Sequence, residues 1–240
     1  MKITKLLAFA GLVAAAASAS AQTGPIVGLY NTGSTVNVGA PVIGSTGQQG
    51  VNYKVTGPAT TPLTACPAGF GGGNCAFIAG DGAYPLQSNW LPNSASTVSK
   101  WITPTANQGA TFDTVVNGLY TYTLSFNLTG FFPNTASLAG RFLTDNTGTV
   151  ALNGNLLPAV SNSFTAWTPF SVSTGFVSGI NTLTFGVTNL ATPLQNPTGL
   201  RVEFTSSQVT AVPEPSALLL SLAGLAMVGG LAKRRLSARA

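Results

Sequence analysis

Residues 119–128 read Leu119-Tyr120-Thr121-Tyr122-Thr123-Leu124-Ser125-Phe126-Asn127-Leu128. In an extended chain Tyr120, Tyr122, Leu124, Phe126 and Leu128 fall on one side, and Thr121, Thr123, Ser125 and Asn127 on the other. A strand with one buried and one wet face requires that period of two. Working outward, the pattern recurs in 182–188, where Leu183, Phe185 and Val187 alternate with Thr and Gly, and again in Leu200-Arg201-Val202-Glu203-Phe204. The last alternation puts Arg201 and Glu203 on one strand face, where an exposed ion pair, worth little, is the default expectation. Between these segments Asp145-Asn146-Thr147-Gly148 and Asn153-Gly154 read as hairpin turns, because Asn and Gly tolerate positive φ, with 149–152 a short strand between them. Strands at this spacing, with no helical stretch, predict an all-β fold of the antiparallel sandwich type.

The two ends of the chain read differently. Lys2 and Lys5 precede an apolar run over 6–17 and the small residues Ala19-Ser20-Ala21, the pattern of a signal-peptide helix over 1–21 cleaved before Gln22. At the other end Val212-Pro213-Glu214-Pro215 is followed by an uncharged run over 217–232 and by Lys233-Arg234-Arg235. Counted from Ser216 to residue 232 the apolar run is seventeen residues, at the short end of the roughly 17–25 that span a bilayer as a helix, so a single transmembrane helix has little tilt to spare. The two prolines keep that helix from running back into the preceding chain. The three cations resist crossing and hold the C-terminus in the cytoplasm.

This order of Pro-Glu-Pro, hydrophobic helix and basic tail resembles the PEP-CTERM sorting signal of Gram-negative bacteria. The resemblance covers about a tenth of the chain and implies recognition of Pro213, Glu214 and Pro215 by an exosortase-type peptidase. It also implies a precursor tethered in the inner membrane with Lys233, Arg234 and Arg235 as membrane stop, and delivery to the cell surface or extracellular matrix. A plain tail anchor with Pro-Glu-Pro as a linker is the competing reading.

With the two targeting segments set aside, the basic charge disappears. The whole chain carries ten Lys and Arg against five Asp and Glu, but the exported part retains four of each: Lys54, Lys100, Arg141 and Arg201 against Asp81, Asp113, Asp145 and Glu203. A neutral domain lacks the clustered cations that nucleic acid requires, so that partner is excluded. The expected organisation is a β-sandwich over 22–205, least regular over 22–50, then a linker over 206–212 and the sorting signal over 213–240.

Cys66 and Cys75 enclose a glycine-rich loop, which in an exported protein reads as a disulfide; two free thiols or half a metal site is the alternative. The chain has no histidine, which removes Ser-His and Cys-His pairs. No catalytic residue, metal ligand or cofactor is assigned. Asp145 reads as a turn residue whose carboxylate caps backbone N–H groups. Calcium at Asp145 or Glu203 with backbone carbonyls is a lesser alternative. Among the aromatics, Trp101 and Trp167 read as core. Trp90, between Asn89 and Leu91-Pro92, and Phe131-Phe132, before Pro133, read as loop residues that can stack on sugar rings.

The string from Phe142 through Asp145 to Asn153-Gly154, then Gly179-Ile180-Asn181-Thr182-Leu183, then Asn196-Pro197-Thr198-Gly199 resembles the galactose-binding-like jelly-roll domains. That resemblance spans about 119–204 and implies a jelly-roll topology without implying a ligand. The function expected is a non-catalytic exported matrix or surface protein, either structural or in contact with exopolysaccharide. The alternative is a secreted enzyme acting on extracellular polysaccharide, which needs two of Asp81, Asp113, Asp145 and Glu203 in one cleft.

Overall fold

In the computed structural model residues 21–34 and 44–213 are described, with five positions between 223 and 229. They form eleven strands: β1 (Thr23–Gly24), β2 (Gln49–Thr56), β3 (Asn74–Ile78), β4 (Ile102–Thr103), β5 (Gly118–Asn127), β6 (Phe131–Asp145), β7 (Thr147–Leu152), β8 (Asn155–Ser161), β9 (Thr168–Val172), β10 (Ile180–Asn189) and β11 (Gly199–Ala211). Every pairing among them is antiparallel. The all-β, antiparallel expectation therefore holds. The expected signal peptide, most of the spanning segment, Glu214-Pro215 and the basic tail lie outside the described residues. Among the described residues no helix is long and apolar enough to cross a membrane.

The strands form one sheet in the order β8-β7-β10-β5-β2-β3-β4-β11-β6-β9, with β1 on β11. The end strands β8 and β9 lie near one another without a backbone ladder, so the sheet curls almost closed around its core. The alternation of 119–128 sets the inner face: Tyr120, Tyr122, Leu124, Phe126 and Leu128 are at most 3% exposed. Tyr122 stands opposite Phe185 and Leu124 opposite Leu183 across the β5–β10 ladder. Leu200, Val202 and Phe204 of β11 and Phe142 of β6 close the same core from the other half. Each such side chain contributes about 1.5–3 kcal/mol by leaving water.

The Asn153-Gly154 turn closes the β7–β8 hairpin with φ of 50° and 83°, as its residues predict. The other expected hairpin, at Asp145-Asn146-Thr147-Gly148, is a correction. β6 pairs with β11 and β9, and β7 with β10 and β8, so Asn146 carries the chain from one half of the sheet to the other. The expected linker is corrected too: Ser206, Ser207 and Gln208 pair with β6 inside β11, where two register shifts bend the strand. Within the segment expected to be least regular, Ile26 and Leu29 are buried in the main core.

The two outer faces of the sheet differ. On β5, β10 and β7 the outward residues are Thr121, Thr123 and Ser125, then Thr182, Thr184 and Thr188, then Thr147 and Thr149, all partly or fully exposed. The outer face of the end of β6 and the start of β11 is instead covered by the chain between β3 and β4. There Ala79, Leu86, Trp90 and Trp101 pack on Leu143 in a second, smaller core.

Candidate functional site

The covered face carries charge into the interior. Arg201 is fully buried, and its guanidinium donates to the carbonyls of Pro92 (2.9 Å), Ser99 (3.0 Å) and Asn93 (3.2 Å) and to Ser99 Oγ (2.7 Å). Ser99 Oγ donates in turn to Glu203 Oε1 at 2.7 Å. Arg141 donates to Glu203 Oε2 from Nε at 2.8 Å and from Nη2 at 2.6 Å, and its guanidinium lies 4.4 Å from the centre of the Trp167 ring. Burial pushes the Glu203 carboxyl up, but hydrogen bonds from Ser96, Ser99 and Arg141 and the Arg141 charge outweigh it, leaving the group below its ordinary value. Burial holds Arg201 down to about 10, against the pull of Glu203.

The expected exposed pairing of Arg201 with Glu203 is thereby corrected. The two share a face, but that face is buried, and the salt bridge is Arg141–Glu203. Arg201 pins the covering segment through its backbone: it supplies the donor to the Ser99 carbonyl and a second donor to the Pro92 and Asn93 carbonyls, which also accept the Ala95 and Ser96 N–H groups.

Beside this layer lies a recess of about 190 Å³ whose lining includes Tyr84, Trp90, Asp145, Asn146, Phe164, Thr192 and Gln195. Asp145, the last residue of β6, is 7% exposed. Its Oδ2 accepts the indole N–H of Trp90 at 2.8 Å, which corrects the expectation that it caps backbone N–H groups. Its main-chain carbonyl accepts Thr198 Oγ1 at 2.6 Å. Burial raises its carboxyl to about 6, against the lowering effect of the Trp90 bond. The Tyr84 hydroxyl donates to the Gln195 carbonyl at 3.0 Å. Two larger hollows, of about 400 and 440 Å³, lie between β8 and β9; they are lined by Leu157, Pro158, Ser171 and their neighbours and contain no ionisable side chain.

The aromatic residues expected to stack on sugars are not brought together. Trp90 is 3% exposed, tilted 30° against Trp101 with ring centres 4.3 Å apart, so its face is core and only its edge reaches the recess. Phe131 and Phe132 begin β6 and pair with Ala211 and Thr210, at the opposite end of that strand from Asp145. Phe132 is 39% exposed, while Phe131 packs on the main core. Cys66 and Cys75 are bonded, with S–S 2.05 Å.

The four acids are separately committed. Asp81 accepts the N–H groups of Asn93 and Ser94, and Asp113 accepts from Tyr120 and Asn189. Asp145 and Glu203 are bound as above. Among the described residues no group of three or more His, Cys, Asp or Glu is placed to hold a metal ion. Of the recess, the sequence singled out Asp145 and Trp90 but not Thr192 or Gln195, which lie in the loop before β11, far from both in the chain. No known family model matches the chain, and no curated protein matches it significantly.

Proposed function

We propose that this chain is a non-catalytic exported protein, sorted to the cell surface or extracellular matrix through a PEP-CTERM signal, where its body, a jelly-roll sandwich, contacts exopolysaccharide. One observation carries the reading: Pro213-Glu214-Pro215, the apolar run and Lys233-Arg234-Arg235 stand in that order directly after a compact unit that ends at Ala211. Supporting it, the body is neutral, and one sheet face is a field of threonine hydroxyls suited to a hydrated, uncharged partner. In this role the exosortase-type peptidase reads the tripeptide and the inner membrane holds the precursor by its C-terminal helix. The test is a C-terminal tag followed through cell fractionation. The tag is expected to leave the mature surface protein, and Glu214→Ala, or loss of Lys233, Arg234 and Arg235, is expected to leave tagged precursor in the inner membrane. A tag that stays on the surface protein would replace sorting with simple anchoring.

A further inference from the structure

The recess at Asp145 presents groups that the fold itself leaves unused. The Asp145 carboxyl is almost wholly buried yet takes one donor from the chain, the Trp90 indole, where a buried carboxylate ordinarily needs two or three. Asn146 accepts the Leu190 N–H on Oδ1, which leaves its NH2 group over. Thr192 and Gln195 are exposed, and their side chains make no hydrogen bond among the described residues. The rim is held in place: Gln195 sits at φ 50° with its carbonyl on Tyr84, and Asn196 Nδ2 donates to the carbonyls of Phe112 and Leu190. A rim already ordered spares a ligand that entropy.

We propose that this recess binds one sugar ring of a neutral polysaccharide, taking two adjacent hydroxyls on Asp145 and the remainder on Asn146, Thr192 and Gln195. The proposal rests on the reading of the protein as a surface component in contact with polysaccharide. Its size is the first argument: about 190 Å³ lies below the roughly 300–1,000 Å³ of sites for drug-sized ligands, which suits one ring and not two. Its chemistry is the second. A vicinal diol brings the two O–H donors that the carboxylate lacks, and Trp90 and Phe164 in the lining offer apolar contact for ring C–H groups. A calcium ion needs six to eight oxygens, commonly with several carboxylates, and this recess has one. An acidic sugar would meet the Asp145 charge with no cation in the lining to offset it.

Hydroxyl donors favour the ionised carboxyl, so affinity rises as pH passes upward through about 6 and fades below it. Tyr84 is the titratable group that faces Asp145 in the recess, and burial together with the Asp145 charge raises its pKa, so it stays neutral across that range.

The test is calorimetric titration of the full chain, in a detergent without a sugar headgroup, with the methyl glycosides of glucose, galactose and mannose and with glucuronic acid. At least one neutral glycoside is expected to saturate with Kd on the order of 1 mM at pH 7.5, and glucuronic acid is expected not to. Asp145→Asn is expected to weaken binding about tenfold, the worth of one charge-assisted hydrogen bond, and to flatten the pH dependence. Thr192→Val and Gln195→Ala, at exposed positions that leave the fold intact, are expected to weaken it severalfold. The proposal is overturned if no single ring saturates, or if these three variants bind as the parent does. Retention of matrix polysaccharide by a protein that ignores every single ring would overturn the recess and leave the surface reading standing, since sorting is judged separately by the C-terminal tag.

Discussion

The two halves of this sheet solve the same problem in opposite ways. On β5, β10 and β7 one face is core and the other is wet, so the sequence alternates apolar residues with threonine, and the polar groups buried on the inner side of β5 and β10 are the Tyr120 and Tyr122 hydroxyls and, at the two ends of β10, Asn181 and Asn189. At the end of β6 and the start of β11 both faces are buried, because the chain between β3 and β4 lies across the outside. The second half must therefore satisfy an irregular backbone inside the protein. It does so with charge: one guanidinium serves carbonyls of the covering segment and a hydroxyl, and one carboxylate ties a second arginine to the same serine. Where a bare face costs little to specify, a covered one depends on a few residues that have no substitutes.

Arg201→Ala breaks that contrast most severely. It strips the Ser99 carbonyl of its donor, leaves the Pro92 and Asn93 carbonyls only the Ala95 and Ser96 N–H groups, and removes the cation beside Glu203; breaking a buried ionic network of this kind costs about 3–5 kcal/mol. All three tryptophans, Trp90, Trp101 and Trp167, sit in or against this layer, so their fluorescence reports the covered half while far-ultraviolet circular dichroism reports the whole sheet. In urea the parent is expected to lose both signals together. In Arg201→Ala the fluorescence midpoint is expected to fall well below its parent value and to precede the loss of sheet; an unchanged midpoint would mean that the covering segment is held by packing alone.

The same contrast explains what was legible in the sequence. Period-two alternation located the inner faces of β5, β10 and β11 residue by residue, because burial on one side imposes it. It misjudged Arg201 and Glu203 because alternation reports which side a residue faces, not whether something else covers that side. The covering chain between β3 and β4 has no period of its own. Its course is fixed by long-range contacts such as Asp81 to Asn93 and Arg201 to Pro92, which leave no local mark. Asn153-Gly154 was legible because a tight turn demands particular residues. Asp145-Asn146 looked the same and does something else, since turn residues do not say which strands the turn joins. For the recess, Tyr84, Trp90, Asp145 and Gln195 come from three separate stretches of chain, and only the fold brings them together.

Asp145 stands at the edge of the covered half, and it sharpens the comparison with a sign that the Arg201 network lacks. Its folded pKa, about 6, lies above the ordinary carboxyl value of 3.8. The folded protein therefore holds the proton more tightly than the unfolded chain between those values, and stability rises as pH falls from about 6 toward 4. Above pH 6 the ionised, buried group is a penalty. Asp145→Asn keeps an acceptor for the Trp90 N–H and removes the charge, so it is expected to stabilise the protein by about 1–3 kcal/mol at pH 7.5. That gain is expected to vanish near pH 4, where the parent is neutral as well. Urea midpoints of parent and variant at both pH values decide it; a variant less stable at pH 7.5 would show that the carboxylate has donors enough. A gain in stability paired with the loss of sugar binding would mark Asp145 as a residue kept for function at the expense of the fold.

The smallest effect belongs to the bare face, and its smallness is the point. Thr123 and Thr184 are directly opposite on β5 and β10, half-exposed, with side chains that make no hydrogen bond among the described residues. Valine has the same shape and an equal liking for strands, so Thr123→Val and Thr184→Val, singly or together, are expected to change stability by no more than about 0.5 kcal/mol each. Because the pair is in contact, the double variant also tests for coupling, and a measured interaction near zero would fit two hydroxyls that water solvates independently. The two added methyl groups enlarge the apolar surface only slightly, so the variants are expected to sediment as the parent does. A cost above about 1 kcal/mol, or coupling of that size, would mean that these hydroxyls are bonded to something on the outside, and the bare half would then be covered as the other is.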